Sequence, residues 1–207
     1  MKSGQHFPAF EWLGRQPYKL MWQQMQLRAK TIADEEAEEI IWTCEHDPVY
    51  TTGRRGVDNR FEKELPAPFI VTDRGGETTF HGPGQLMLYP VINLRRRRLG
   101  VKQYTRLLEQ SCIDTLTGLG VPSEQRIGFP GVWTEHGKIA ALGIRVSKEI
   151  AYHGMALNVS VESRWFATIN PCGIGKAATS LSSFCTPPTL CELAKIWYAH
   201  FSSRMNT

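Results

Sequence analysis

The feature that most constrains this chain is Arg74-Gly75-Gly76-Glu77-Thr78-Thr79-Phe80-His81-Gly82-Pro83-Gly84-Gln85, followed at once by Leu86-Met87-Leu88-Tyr89-Pro90-Val91-Ile92. The apolar run reads as a core strand. The polar stretch before it holds Gly75, Gly76, Gly82 and Gly84, which let the backbone approach a ligand or another segment closely. Pro83 fixes one dihedral between two of them. Arg74, Glu77, Thr78, Thr79, His81 and Gln85 crowd the same stretch, more chemistry than a turn needs. It is therefore a candidate binding loop on a rigid scaffold. The plainer alternative is an ornate turn feeding a core strand.

The chain is 207 residues long, which suits a single catalytic domain over 1–207 with room for a small C-terminal lobe from about residue 165. An apolar share of 42% and a charged share of 21% place it with ordinary globular proteins. No run approaches the ~18 apolar residues of a membrane helix. Met1-Lys2-Ser3-Gly4-Gln5-His6 leads into mixed polar sequence without an apolar signal core, so an unprocessed, cytoplasmic protein is expected. The five cysteines, Cys44, Cys112, Cys172, Cys185 and Cys191, are odd in number and lack CxxC spacing. Neither a disulfide framework nor a zinc site is expected. Arg95-Arg96-Arg97-Arg98 is the sharpest local charge in a chain of net charge +4, and it reads as a solvated turn or an anion-attracting surface. No nucleic-acid-binding signature accompanies it.

Along the chain, helices are expected over Pro17–Glu39, Val101–Leu119 and about Leu190–Met205. In the first, Leu20, Met21, Gln24, Leu27, Ala29 and Ile32 mark the apolar side. Strands are expected over Ile40–Cys44, Val49–Gly53, Phe69–Thr72, Leu86–Ile92, Gly131–Thr134, Lys138–Val146 and Met155–Val161, with Glu135-His136-Gly137 as a hairpin turn. Glu45-His46-Asp47-Pro48 reads as a turn, and Ser163–Thr168 as a helical turn. Hairpin strands with helices at the start, middle and end define an α+β fold with a mixed or antiparallel sheet and flanking helices.

Two residues stand out chemically. Cys172 lies between Pro171 and Gly173 in a loop, whereas Cys44 and Cys112 sit inside apolar runs. A nucleophilic thiol must be accessible and must have its thiolate favoured by nearby positive charge. The residues alone leave Cys172 open as a nucleophile or as a small loop residue. Lys138 opens an apolar strand; it snorkels to water or, if set beside a thiol, acts as general acid/base. His81 is a rival base. Phosphate-binding GxxxxGK[ST], dinucleotide GxGxxG, zinc HExxH and serine-hydrolase GxSxG motifs are all missing.

Arg74-Gly75-Gly76…Thr79-Phe80-His81-Gly82-Pro83-Gly84-Gln85…Tyr89-Pro90 resembles the signature of the lipoyl(octanoyl) transferases. The resemblance continues through Gly137-Lys138-Ile139-Ala140-Ala141-Leu142-Gly143, His153-Gly154, Asn158, Pro171-Cys172-Gly173 and Thr179-Ser180-Leu181. Phe80 departs from it, since family members often carry Tyr there. The resemblance implies the fold of biotin and lipoate ligases, with a core like that of class II tRNA synthetases. It implies octanoyl (or lipoyl) transfer to a lysine of the lipoyl domains of 2-oxoacid dehydrogenases or the glycine-cleavage H protein. The donor would be acyl carrier protein, delivering the acyl group on its phosphopantetheine. Cys172 would become the acyl-thioester and Lys138 its acid/base partner. The acyl pocket would be lined by Arg74, Gly75, Gly76, Glu77, Thr78, Thr79, Phe80, His81, Ala141, Leu142, Gly143, Gly154, Met155 and Ala156. Neither ATP nor a metal would be needed, and nucleic acid and membrane would not be partners. An ATP-dependent ligase on the same fold and a non-catalytic docking module are the competing readings.

Overall fold

The computed structural model describes residues 7–54, 65–167, 169 and 178–205. An interior strand of its large sheet is β6 (Gln85–Asn93), which the Gly-rich loop delivers. β6 pairs on one side with β2 (Ile40–His46) and on the other with β10 (Ile150–Asn158), antiparallel to both. The sheet extends through β9 (Gly137–Ser147), β8 (Phe129–Thr134) and β7 (Glu124–Arg126), with β1 (Ala9–Gln16) on the far edge, in the order β1-β2-β6-β10-β9-β8-β7. Among the described residues, β1 and β2 are the one parallel pair of this sheet, so the large sheet is mixed. A second sheet joins β4 (Phe69–Val71), β3 (Val49–Thr52) and β5 (Thr79–His81).

Alternation along β6 sorts its side chains onto two cores. Leu86, Leu88 and Ile92 join Tyr104, Leu108, Cys112 and Leu116 of α2 (Val101–Gly118) and Leu193, Trp197 and Phe201 of α3 (Leu190–Met205). Met87, Tyr89 and Val91 join Met21, Met25, Ala29 and Ile32 of α1 (Tyr18–Ala33) on the opposite face. A strand fed to a core on each face must be apolar throughout, as the Leu86–Ile92 run is. α1 leaves part of its face uncovered, and the small sheet and its loops stand there. Among the described residues, no helix is long and apolar enough to cross a membrane.

The structure departs from the sequence expectation in definable ways. α1 stops at Ala33, short of Glu39. Glu35 turns to φ 61°, the amide of Asp34 donates to the Lys30 carbonyl (2.9 Å), and the amide of Glu36 donates to the Thr31 carbonyl (2.8 Å). This left-handed close satisfies the last carbonyls and ends the helix with Asp34 as its C-cap, so that the rest of the acidic run lies outside the helix. The buried stripe of α1 is Tyr18, Met21, Met25, Ala29 and Ile32, while Leu20 and Leu27 face solvent. β2 continues through His46, and β10 begins at Ile150. β1, β5 and β7 are additional strands. The 163–166 helical turn and the β8–β9 hairpin fall as expected.

The four arginines do not form one surface. Arg95 and Arg96 approach Glu149 and Glu38 at exposed sites, and Arg98 takes φ 56°. Arg97 turns inward, 7% exposed, and donates from Nε to Glu39 Oε2 at 2.8 Å, with its Nη2 on the same oxygen. Glu39 also accepts the Asn93 amide at 2.8 Å, so this pair clamps the end of β6. Removing one partner leaves a buried charge uncompensated. Arg97→Ala should lower unfolding free energy by about 3 kcal/mol, whereas Arg95→Ala should change it by less than about 0.5 kcal/mol. Urea denaturation of the two variants checks this.

Candidate active site

The uncovered part of the large sheet is the floor of a cavity of about 270 Å³. Small side chains and glycines make the space: Ala141 and Gly143 on β9, and Gly154 and Ala156 on β10, each row paired across the two strands. The glycines are required by contact. A Cβ on Gly154 would stand 2.1 Å from the Leu88 carbonyl oxygen, and one on Gly143 would stand 2.8 Å from the Gly75 carbonyl oxygen. The missing side chains let the 74–76 backbone lie on the sheet, where the Gly75 amide donates to the Ile144 carbonyl at 2.9 Å.

Arg74 fixes this loop. Its guanidinium is 7% exposed and donates to the Thr51 carbonyl (2.7 Å), Thr51 Oγ1 (2.9 Å), the Gly75 carbonyl (3.0 Å) and the Glu77 carbonyl (2.9 Å). Its Nε, Nη1 and Nη2 all donate within the loop and β3. Arg74 is thus a brace for the cavity wall. Asp73 anchors the same loop to α1 and β10. It accepts from Trp22 Nε1 (2.8 Å) and His153 Nε2 (2.9 Å), and from the Tyr152 hydroxyl. Burial raises its pKa, but these donors outweigh burial and hold the carboxyl well below the usual range.

The inner end is aromatic. Tyr18, at the start of α1, stacks on His81 with ring centroids 5.6 Å apart, and Tyr89 and Met87 close the floor beside them. His46, on β2 behind this end, hydrogen-bonds the Gln16 carbonyl through Nδ1 (2.7 Å) and Tyr89 Oη through Nε2 (2.9 Å). A carbonyl only accepts, so Nδ1 carries the proton and Nε2 receives the Tyr89 O–H. His81 Nδ1 lies 2.7 Å from Gln85 Oε1; Gln85 Nε2 donates to Asn158 Oδ1 (2.7 Å), and Asn158 Nδ2 to the Thr179 carbonyl (3.0 Å). Burial drives the pKa of His81 well below its ordinary value, with Arg74 adding to the effect, and burial lowers His153 too. These imidazoles are neutral, and His81 shapes the pocket.

The outer end is Lys138. Its Nζ donates to the Pro130 carbonyl (2.9 Å) and lies 4.8 Å from the centre of the Trp133 ring. Gly128, Phe129 and Pro130 form the rim. Glu109 lies beneath, accepting the Gly131 amide at 2.7 Å; burial raises its pKa against that bond and the nearby Lys138 charge. The backbone of Lys138 bridges Ala178, and its carbonyl accepts the Thr179 amide at 3.0 Å. Cys172 lies outside the described residues. Cys44 and Cys112 are buried core thiols, the latter pushed up to about 12 by burial.

Of the residues expected to line the pocket, Arg74, Gly76, Glu77, Thr79, His81, Ala141, Leu142, Gly143, Gly154, Met155 and Ala156 border the cavity together with Lys138. Gly75, Thr78 and Phe80 are set off from it. Gly75 is tied to Ile144, and Thr78 Oγ1 donates to Thr52 Oγ1 at 3.0 Å. Phe80 turns to the other side of β5 and stacks on Trp165 with centroids 4.6 Å apart. Because β5 alternates, Thr79 and His81 face the cavity while Phe80 does not. Leu142 and Met155 border the cavity but pack into the α2–α3 core. The sequence reading did not expect Tyr18, Met87 or Tyr89 to line the cavity, or Asp73 and His46 to stand behind it; the position of Met87, Tyr89 and Asp73 in or beside the Gly-rich stretch was the local signal available. Among the described residues, no group of three or more His, Cys, Asp or Glu is placed to hold a metal.

The fold is that of the lipoate and biotin protein ligases. Lipoate-protein ligase A bound with ATP superposes over 97% of this chain and 86% of that one, with a TM-score of 0.71 at 15% identity. Biotin protein ligase from Aquifex aeolicus superposes over 97% and 71%, with a TM-score of 0.59 at 13% identity. Residues 17–202 match the family model of the lipoyl protein ligase A/B catalytic domain. An octanoyltransferase from Laribacter hongkongensis is 39% identical over 93% of both chains, and one from Chromohalobacter salexigens is 40% identical over 93% of this chain and 87% of its own. The chain belongs to this octanoyltransferase family and is an acyltransferase.

His46 sets a pH dependence of stability. Burial pushes its pKa down to about 4, against the hydrogen bond to Gln16 and the charges of Asp47 and Glu45. Below its ordinary pKa of about 6.5 the unfolded chain takes up a proton that the folded chain refuses. Its contribution is therefore complete above that pH and is lost as pH falls toward about 4, an effect of up to ~3 kcal/mol. Urea unfolding of the wild type and His46→Asn between pH 7 and 4 should show a shallower loss in the variant.

Proposed function

We propose that the protein transfers an octanoyl group from acyl carrier protein to a lysine of a lipoyl domain or the glycine-cleavage H protein, through an acyl-thioester on Cys172. The observation that carries this reading is the bridge between Lys138 and Ala178 at the cavity rim. It returns the chain six positions beyond Cys172 to the side of a lysine, at the open end of a slim, small-residue cavity. The octanoyltransferase relatives support the acyl group and the reaction class.

In the first half-reaction the Cys172 thiolate attacks the donor thioester carbonyl. The tetrahedral oxyanion collapses, the carrier's phosphopantetheine thiolate leaves, and Lys138 supplies its proton. One thioester replaces another, so the step is nearly balanced and ATP has no part in it. In the second, the acceptor amine attacks the acyl-Cys172 carbonyl, an amide forms, the Cys172 thiolate leaves, and Lys138 takes the proton from the amine. The donor and acceptor are soluble proteins carrying the acyl group in the cytoplasm, and the enzyme itself needs neither metal nor nucleotide.

Mixed with octanoyl–acyl carrier protein and no ATP, the wild type should gain the mass of one octanoyl group, and Cys172→Ser should gain none. An adduct that persists in Cys172→Ser, or transfer that requires ATP, overturns the mechanism. Lys138→Arg should fold normally and slow both half-reactions by about 10²-fold or more in single turnover.

A further inference from the structure

We propose that Tyr18, Met87 and Tyr89 form an end wall that sets the length of the acyl chain, and that His46, outside the cavity, positions Tyr89 by drawing its hydroxyl away from the chain. This rests on the acyl-transfer reading for the direction in which the chain enters.

The cavity crosses the strands, from Lys138 on β9 over Ala156 and Gly154 on β10 to Met87 and Tyr89 on β6. Met87 stands opposite Ala156, and Tyr89 follows two positions along β6 with its hydroxyl turned to His46 on β2. The β6 side of the cavity, with Tyr18 beside it, is therefore where an alkyl chain entering past Lys138 ends. The end wall is closely packed. Tyr18, Met87 and Tyr89 are 4%, 2% and 3% exposed, and Tyr18 is held between His81 and His46 with ring centroids at 5.6 and 5.1 Å.

The same wall raises a chemical problem that His46 solves. A Tyr89 hydroxyl facing an alkyl terminus would be buried without a partner, which is unfavourable. The Tyr89 hydroxyl is instead 2.9 Å from His46 Nε2, and the opposite imidazole nitrogen is tied to the Gln16 carbonyl at 2.7 Å. That second bond selects the tautomer whose Nε2 accepts. Tyr89 therefore gives the cavity its ring and gives its hydroxyl to β2. Burial keeps the Tyr18 hydroxyl protonated, pushed up to about 12, and leaves His46 neutral at physiological pH. His46 touches none of the acyl group. It acts through Tyr89.

The test is titration of the full chain with saturated fatty acids of increasing length, read by calorimetry, with the carboxylate left to meet Lys138 at the rim. The wild type should bind best at about eight carbons, Met87→Ala at about two carbons more, and Ala156→Val, which narrows the floor beside Met87, at about two fewer. The same best length in all three proteins, or no length preference in the wild type, overturns the end wall. His46→Leu should weaken octanoate binding by about fivefold or more. Made in a Tyr89→Phe background, which has no hydroxyl to redirect, it should change affinity by less than about twofold relative to Tyr89→Phe alone. Equal losses in both backgrounds overturn the positioning role. Length-selective binding without an adduct on Cys172 would refute the transfer reading and leave the wall standing; an adduct with unmoved length preference would refute the wall alone.

Discussion

The arrangement of this site depends on a buried cation that meets no carboxylate among the described residues. A guanidinium placed inside a protein must have its donors met, or the fold excludes it. Arg74 meets its own with the Thr51 carbonyl and hydroxyl and the Gly75 and Glu77 carbonyls. Those acceptors belong to two segments that are distant in sequence, β3 and the Gly-rich loop. Satisfying one charge therefore joins the small sheet to the loop and fixes the loop over the large sheet. A lysine could not do this, because a point charge lacks the planar fork that reaches carbonyls in several directions at once.

The second constraint is steric. The loop reaches the sheet only because Gly143 carries no side chain beneath Gly75, and β10 packs on β6 only because Gly154 carries none beside Leu88. The cavity is what remains when two glycines and two alanines occupy paired positions on neighbouring strands and large residues stand at either end of the rows. Its width thus comes from side chains that are absent and its length from those present at Tyr18, Met87 and Tyr89. This is why one Gly-rich stretch in the sequence, with its partner glycines some 70 residues away, maps to a single wall.

What was legible in the sequence follows from the same physics. β6, the β8–β9 hairpin, α2 and α3 have strong periodicity or an unbroken apolar run, and both survive tertiary context. β1 has a half-exposed face and a glycine at φ 65° within it, so its pattern is weak. β5 is three residues inside a polar loop, and β7 is the polar edge Glu124-Gln125-Arg126. Such strands exist because a neighbour offers them hydrogen bonds, a fact the local sequence does not carry. The cavity residues on β9 and β10 were legible through the resemblance. Phe80 was not, because motif adjacency ignores the alternation that turns it onto Trp165. Arg97 was hidden by its neighbours, since four identical residues in a row give no sign that one of them faces Glu39.

The inner cavity ends up electrostatically quiet in spite of its composition. Arginine, three histidines, an aspartate and two tyrosines surround it, yet Arg74 is spent on carbonyls, His46 and His81 are neutral by burial, and Asp73 is turned toward Trp22, Tyr152 and His153. The Tyr89 hydroxyl, the Asp73 carboxylate and the Arg74 guanidinium thus have partners behind the wall, and the inner surface offers a guest ring faces and a thioether from Tyr18, Tyr89 and Met87. An apolar chain needs just that. The polar groups hold the wall rigid in a way that an all-aliphatic pocket, free to collapse into its own void, could not. Charge returns at the rim, on Lys138, where a carbonyl rather than a methyl group must be handled. The separation of a quiet interior from a charged mouth thus rests on buried polar residues such as Asp73, His46 and Arg74, whose hydrogen bonds are made behind the wall.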